Sequence, residues 1–370
     1  MSISEDTQSD ALSQVIPHAA EPVNQAAGAP ERFIFTGSGS EYFRIWIVNL
    51  LLTIATLGIY SAWAKVRKTR YFYDNTKVAG TSFDYHGKPS AILRGRIVAA
   101  LVFGAYNVAF MVSDAAGFAM LALLGALMPW LIWKSIQFKL DNSSYRGIRF
   151  GFTGKIGQVY FVYLLLPILT LLTAYLMVPF THQRMKKFQH EHSRYGGSLF
   201  SFHASAGKFY QAYLIAFAIA MVGILMIAVA FSGTLSGLKA TGLKHADAAA
   251  IASFAFFFLA LYVWVFSLIP VFLMLIQNLI WNNTRLGEHR FTSTLKTGRM
   301  TFIALTNMLG IICTLGLFIP FAQIRTMKYR IESMSLVPAG SLDAFIAETQ
   351  AKASATGEGM ADLLDFDLSL

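Results

Sequence analysis

The sequence predicts an all-α polytopic membrane protein, an internally duplicated helical bundle whose short polar loops resemble β-hairpins. Three observations carry this prediction. Hydrophobic residues make up 55% of the chain and charged residues 14%, whereas soluble domains have about 25% charged residues. The apolar residues gather into windows of about 20 residues, the length that crosses a hydrocarbon core. Short phrases of sequence also recur at a fixed spacing.

Seven segments qualify as hydrophobic windows. In chain order they are 42–62, 92–113, 115–136, 157–180, 209–231, 248–281 and 300–321. The alternative is a set of helices buried in a large soluble core. Stretches such as 121–132 and 254–276 lack the polar face of an amphipathic helix. We therefore favour membrane helices over a soluble core.

The recurring phrases lie just before hydrophobic segments. Phe33–Gly37 returns as Phe150–Gly154, and Phe83–Gly87 returns as Phe200–Ala204. Both pairs are 117 residues apart, from 33 to 150 and from 83 to 200. Because a hydrophobic segment follows every copy, the phrase is predicted to mark entry into the membrane.

This spacing divides the chain into a membrane domain, 32–335, and two acidic tails, 1–31 and 336–370, predicted to be disordered. The tail at the N-terminus lacks the pattern of a signal peptide. The membrane domain contains two copies and a partial third. Their ranges are 32–148, 149–288 and 289–335.

The third copy aligns with both earlier ones. A shift of 258 residues brings Asn49 to Asn307 and Arg67 to Arg325, and a shift of 141 brings Thr173 to Thr314.

A polar segment follows each basic-aromatic stretch and ends in glycine. The four segments are 75–80, 142–147, 192–197 and 282–287. Because glycine accepts a positive φ, each is predicted to be a turn or short β-hairpin. The fourth is out of register by one residue, because Phe291 lies four residues after its glycine rather than three.

Lys and Arg indicate how the segments are oriented. The clusters 65–70 and 184–187 occupy matching places in the two copies, and the positive-inside rule puts both on the cytoplasmic side. The connections 113–115 and 232–247 are poor in basic residues and are predicted to be periplasmic. Both tails are predicted to be cytoplasmic.

One arrangement satisfies these constraints. Segments 42–62, 157–180 and 300–321 dip into the membrane and return, and the other four cross it. Each dipping segment contains glycine or proline, as at Gly58, Pro167 and Gly316, and broken backbone at membrane depth needs protein or water around it. The alternative is seven plain spans.

The chain also resembles a known family. Phe35–Gly39, Leu57–Arg67 and the pair Arg70 and Tyr71 resemble the YjgN-like bacterial inner-membrane proteins, a family defined by a domain of unknown function. The resemblance covers roughly residues 32–335. It implies a multi-pass protein of the bacterial inner membrane and carries over no catalytic residue.

Six polar residues inside hydrophobic segments are candidates for a pathway or for helix packing. They are Asn49, Asn107, Asn307, Thr56, Thr173 and Thr314. Hydrogen bonding between helices is one interpretation. The other is that Asn49 and Asn307 face each other across a pathway, since they align with each other.

Seven residues next to the membrane are candidates for binding lipid headgroups. They are Trp63, Arg67, Arg70, Arg184, Lys187, Arg325 and Lys328. Aromatic rings and snorkelling cations suit the membrane interface. These residues either set the topology alone or also bind anionic lipid, at about 1 kcal/mol per cation.

No catalytic constellation, metal motif or cofactor motif is found in the sequence, so no enzyme, no metal site and no cofactor are predicted. Nucleic acid is not an expected partner, because the basic residues lie against the membrane. The histidines at 182, 190, 192 and 203 lack the ligand spacing of a zinc motif.

Three functional classes remain. The first is a transporter or channel for a small or amphipathic solute, favoured because duplicated units with broken helices recur in transporters. The second is an anionic-lipid-binding or envelope-organising protein. The third is a scaffold for other membrane proteins.

Overall fold

An antiparallel sheet of eleven short strands organises the chain. The computed structural model describes residues 29–241 and 248–355. The strands are β1 Glu31–Arg32, β2 Ile34–Phe35, β3 Thr76–Val78, β4 Thr81–Tyr85, β5 Ser143–Tyr145, β6 Ile148–Phe152, β7 Ser193–Tyr195, β8 Ser198–Phe202, β9 Thr284–Leu286, β10 His289–Ser293 and β11 Met334–Val337.

The sheet is a nearly closed barrel. From β2 the strands follow chain order to β11, which then pairs with β1. The two end strands, β1 and β2, are separated only by Phe33, whose N–H donates to the carbonyl of Met334 at 3.1 Å. One five-residue segment therefore joins both ends of the sheet.

The predicted all-α class is wrong for this reason. The polar segments do form hairpins, but the hairpins pair with one another across the whole chain instead of standing as separate loops. An isolated two-stranded hairpin is marginal in water, and an unpaired edge leaves backbone groups unsatisfied. Lateral pairing satisfies them, and no local pattern in the sequence reveals it.

Five phenylalanines line the inside of the barrel and explain the first aromatic of each recurring phrase. Neighbouring rings are stacked with centroids 6.2 to 6.5 Å apart. The five are Phe33, Phe83, Phe150, Phe200 and Phe291. The recurring phrase thus supplies the core of the barrel. Its interpretation as a mark of membrane entry did not foresee this role.

The second aromatic of the phrase packs under a helical hairpin. Phe35 contacts Tyr42 and Tyr71 in one buried cluster, and Phe202 packs with Phe209 in another.

The strand register explains why Phe291 lies four residues after its glycine instead of three. All four hairpins have two-residue turns, with Val78 opposite Thr81 and Leu286 opposite His289. Gly287 therefore occupies the first turn position, where the earlier hairpin has Ala79. Ala79 has φ 44° and Gly287 has φ 55°, so this turn position needs a residue that accepts a positive φ.

Helices leave the other end of the barrel as five helical hairpins. We name them hairpins A to E. Hairpin A consists of α1 Gly39–Ala55 and α2 Ser61–Asp74, and hairpin B of α3 Pro89–Val112 and α4 Asp114–Asp141. The first arm of hairpin C consists of α5 Ile156–Tyr160, a π-helical turn Phe161–Leu165 and α6 Leu166–Leu172, and its second arm is α7 Val178–Glu191. Hairpin D consists of α8 Ala206–Ala230, α9 Ser232–Thr241 and α10 Ala248–Trp281, and hairpin E of α11 Thr297–Cys313 and α12 Ile319–Glu332.

The hairpins form a ring above the barrel. Each one contacts the next through α2 and α3, α4 and α5, α7 and α8, or α10 and α11, and α12 contacts α1. Strands that are neighbours in the barrel lead into hairpins that are neighbours in the ring. The order of the strands therefore fixes the order of the hairpins.

Hairpins B and D are long, and hairpins A, C and E are short. Four helices in the described residues, α3, α4, α8 and α10, are long and apolar enough to cross a membrane. The other predicted segments, 42–62, 157–180 and 300–321, form the short hairpins. Helix length and composition thus support four spans rather than seven.

The tips of the short hairpins are apolar. Leu57 and Leu315 are each 95% exposed and Leu176 is 75% exposed. Leucines at such exposure suit hydrocarbon better than water. The dipping of these hairpins into the membrane, and which face each loop occupies, stay predictions.

Part of the predicted C-terminal tail is structured. β11 ends at Val337, and a further helix, α13 Leu342–Ala355, follows. Ile346 of this helix is buried in the barrel cluster, and Arg146 bonds Asp343 at 2.5 Å. The tail 1–28 and residues 356–370 lie outside the described residues.

Because all strands share one barrel, two positions far apart in sequence should lie on one face of the membrane. In a Cys313→Ser background, Asp84→Cys and Leu199→Cys, both exposed on strands, should react with an impermeant thiol reagent from the same side. Asp114→Cys, at the start of α4, should react from the other side. Labelling of Asp84→Cys and Leu199→Cys from opposite sides would contradict the shared barrel.

Loss of one ring from the barrel should be costly. Phe291 is 8% exposed, and removing a buried phenylalanine costs about 3–5 kcal/mol. Phe291→Ala should lower the apparent Tm in a neutral detergent far more than Phe302→Ala, whose ring is 54% exposed on α11. Equal shifts would show that the stacked rings do not stabilise the fold.

Candidate functional site

Two concave regions lie where the helical ring meets the barrel. The first, which we call the hairpin A pocket, has a volume of about 350 Å³. It is lined by Ile45, Tyr60, Trp63, Val66, Arg67, Arg70, Tyr71, Asp74 and Pro89. The second, the barrel cavity, has a volume of about 470 Å³.

The hairpin A pocket brings together three predicted headgroup-binding residues, Trp63, Arg67 and Arg70. Trp63 is 39% exposed, and its ring stacks on Tyr60. Arg70 donates from Nε to the carbonyl of Tyr85 at 3.2 Å, which ties it to β4. The spacing of these residues along α2 places them on one side of the helix.

Arg67 and Arg325 align in the sequence but differ in their contacts. Arg325 donates to Asn307 Oδ1 at 2.8 Å and to Thr306 Oγ1 at 3.0 Å. Arg67 is exposed and makes no hydrogen bond or ion pair with any residue that the structure describes. The shift of 258 puts Val48 where hairpin E has Thr306, so hairpin A lacks the hydroxyl that fixes Arg325.

The asparagines do not share one environment. Asn307 is 6% exposed and also donates to Thr326 and to the carbonyl of Ala322. Asn49 is 7% exposed, and its Oδ1 accepts no hydrogen bond from the described residues. Asn107 lies exposed on α3 and donates to the carbonyl of Phe103. Asn107 therefore lies outside the buried setting of the other two.

The threonines close the tips of the short hairpins. Thr56 donates to the carbonyl of Leu52 and accepts from the N–H of Tyr60, and Thr314 repeats this with Gly310 and Phe318. Thr173 donates to the carbonyl of Thr170. These hydroxyls satisfy backbone groups at helix ends.

The remaining predicted cations have partners on their own helices. Arg184 lies over the ring of Phe180, 4.9 Å from its centroid. Lys187 pairs with Glu191 at 3.7 Å and Lys328 with Glu332 at 3.9 Å. Exposed pairs of this kind contribute little to stability, but they neutralise the charge locally.

The barrel cavity is lined almost entirely by apolar and aromatic side chains. The stacked phenylalanines and the residues opposite them in the strands form its wall. Those opposite residues include Val78, Tyr145, Tyr195, Leu286 and Leu336.

The two ends of the cavity differ. At the end with the strand turns, Phe345 and Ile346 of α13 close the cavity. At the other end, Tyr73, Leu140 and Trp281 at the last turns of α2, α4 and α10 line its mouth, with Lys139 beside them.

A second lysine lies near Lys139. The Lys186 ammonium bonds Gln189 Oε1 at 3.2 Å rather than a carboxylate. Burial lowers the pKa of Lys186, and the charge of Lys139 lowers it further. Burial also lowers the pKa of His190 to about 4, with Lys186 contributing. Lys186 is therefore partly desolvated, whereas Lys139 is exposed.

Sequence reasoning missed Lys139 and Lys186 as candidate site residues. Lys139 is in the last turn of a helix long and apolar enough to cross a membrane, where a lysine is ordinary. No local signal marks it, because the cavity exists only when the eleven strands have paired.

The chain is similar to a known family over most of its length. The model of the family described as "Bacterial protein of unknown function (DUF898)" matches residues 30–363. The chain belongs to this family. The resemblance seen in the sequence is thus confirmed, and the match extends beyond the membrane domain into α13.

The DUF898 member has curated relatives named "Inner membrane protein YjgN". The Salmonella typhimurium protein is 34% identical over 149 residues, which is 39% of this chain and 37% of the relative. The Escherichia coli K12 protein is 33% identical over 156 residues, 40% of this chain and 38% of the relative. The matched region thus spans little more than a third of those relatives. No solved structure matches the chain significantly.

These names and the four apolar helices together confirm a membrane protein whose relatives are inner-membrane proteins. They assign no activity.

The two aligned arginines should differ in their effect on stability. Arg325→Ala leaves Asn307 Oδ1 buried without its donor, which costs about 1–3 kcal/mol. Arg67→Ala removes no hydrogen bond and should change stability by less than about 0.5 kcal/mol. Thermal unfolding in a neutral detergent measures both. A larger loss in Arg67→Ala would contradict the contacts described for hairpin A.

Proposed function

We propose that the protein is an inner-membrane protein that binds anionic lipid headgroups at the hairpin A pocket. Trp63, Arg67 and Arg70 are the binding residues. The observation that carries the proposal is Arg67, an exposed guanidinium without a protein partner in the described residues, beside an exposed tryptophan in a pocket.

The position of the pocket along hairpin A supports this assignment. Its tip carries the exposed Leu57, and its base joins the barrel at Asn75. Arg67 lies between the two, on the stretch of α2 that also holds Trp63. If the tip lies in hydrocarbon and the barrel in water, Arg67 lies at headgroup depth, where cations and tryptophan are both favoured.

A neighbouring helix supplies more positive charge. Pro89, at the start of α3, lines the pocket, and Arg96 of α3 donates to Ser61 at the start of α2. Asp74 at the barrel end offsets part of this charge. Burial raises the pKa of Asp74, Asp84 raises it further, and Arg70 opposes the shift.

Guanidinium groups suit phosphate because their planar donors form two parallel hydrogen bonds with its oxygens. A cation near the surface contributes about 1 kcal/mol to binding anionic lipid. The interaction is therefore modest per residue and sensitive to salt.

The transport hypothesis has less support from the side chains proposed for a pathway. Thr56 and Thr314 are bonded within their own turns, and Asn107 lies on an exposed helix face. Transport and the scaffold hypothesis stay predictions, because no contact in the described residues favours either over lipid binding.

Removal of one cation should weaken binding to anionic lipid. Arg67→Ala, reconstituted in nanodiscs with phosphatidylglycerol in a phosphatidylcholine background, should retain about fivefold less phosphatidylglycerol, the equivalent of about 1 kcal/mol. Lipid co-purified with the protein and measured by mass spectrometry gives the ratio. Arg67→Lys should restore part of the lost phosphatidylglycerol.

Lys328→Ala is the matched control, because it removes a cation from the corresponding helix of hairpin E that is already paired with Glu332. Equal lipid retention by Arg67→Ala and Lys328→Ala would reject the hairpin A pocket as the site. The difference in phosphatidylglycerol retention between Arg67→Ala and the wild type should also become smaller as the salt concentration is raised.

A further inference from the structure

We propose that the barrel cavity binds one long-chain fatty acid, with its hydrocarbon chain inside the barrel and its carboxylate at Lys139. This site is separate from the hairpin A pocket. Its ligand enters from the helical ring, at the end where the cavity is open to the helices.

The volume and wall of the cavity define the tail of the ligand. A cavity of about 470 Å³ lies within the range of small-molecule sites. Apolar and aromatic side chains, the stacked phenylalanines among them, form most of its wall, and they offer a hydrocarbon chain apolar contact but few hydrogen-bonding partners. A polar ligand would lose its hydration there without replacement.

The closed end sets the direction of the ligand. Helix α13 lies across the strand turns, where Phe345 and Ile346 line the cavity and Arg146 bonds Asp343. The chain end of the ligand therefore points toward α13. Its head lies at the mouth, among the last turns of α2, α4 and α10.

The charge at the mouth defines the head of the ligand. Lys139 is the one cationic side chain among the described residues that line the cavity, and it is exposed. Lys186 on α7 lies outside that lining, and its ammonium bonds the neutral amide of Gln189. A carboxylate at the mouth can therefore pair with Lys139 while the hydrocarbon chain stays inside the barrel.

The histidines on α7 supply no charge to this region. His182 and His190 lie four residues before and after Lys186, and burial lowers the pKa of each to about 4, with Lys186 lowering it further. They are neutral at pH 7. The positive charge of Lys139 therefore suits an anionic head better than a cationic one.

The test uses the full-length protein in phosphatidylcholine nanodiscs and radiolabelled palmitate, with empty nanodiscs as the partition blank. Wild-type protein should bind palmitate saturably at one per chain, and 1-hexadecanol should bind on the order of tenfold more weakly because it lacks the charge. Absence of saturable binding above the blank would overturn the proposal.

Two variants separate the tail from the head. Val78→Phe adds a ring to the cavity wall and should abolish binding of both ligands. Lys139→Gln should weaken palmitate on the order of tenfold and leave 1-hexadecanol unchanged. The control for charge is Lys134→Gln, also on α4, whose ammonium lies over Trp133 and does not line the cavity.

Thermal unfolding shows whether Val78→Phe is folded. If Val78→Phe does not fold, Lys139→Gln still tests where the carboxylate of the ligand binds. Equal palmitate affinity in Lys139→Gln and Lys134→Gln would overturn the assignment of the head. Normal binding by a folded Val78→Phe would overturn the assignment of the tail. Arg67→Ala should bind palmitate normally, so failure of this site is distinguishable from failure of the hairpin A pocket.

Discussion

Closure of the barrel is the constraint on which the rest of the structure depends. Its strands are two to five residues long, too short to be stable as separate hairpins. The outermost hairpin strand β3 and the last strand β11 gain their second partners from residues 31–35, which pair with β3 on one side and with β11 on the other. The first and last strands of a chain that is otherwise mostly helical therefore hold the whole ring together.

The aromatic ring and the helical ring follow from that closure. The segment β1–β2 and each of the four β-hairpins contribute one phenylalanine to the interior, and each then leads into one helical hairpin. The order of the hairpins is therefore the order of the strands. The cavity lies where the two rings meet, so its wall comes from strands and its mouth from the last turns of helices.

Aligned positions in different hairpins keep one residue type but not one role. Arg67 and Arg325 are both arginine, yet only Arg325 is fixed by hydrogen bonds, which it makes to Asn307 and Thr306. Hairpin A has Asn49 and Val48 at those positions. Asn49 is buried like Asn307 but lacks the arginine bond that Asn307 receives.

The sequence by itself determined the membrane class, the family, the hydrophobic segments and the presence of hairpins at the glycine-ended loops. These depend on composition and on residues a few positions apart. Only the tertiary structure decided that the hairpins form one barrel, that the phenylalanines of the recurring phrase meet, and that Lys139 lies at a cavity. Strand pairing joins residues such as Glu31 and Leu336, some 300 positions apart. Backbone hydrogen bonds carry no side-chain signature that would reveal such a partner.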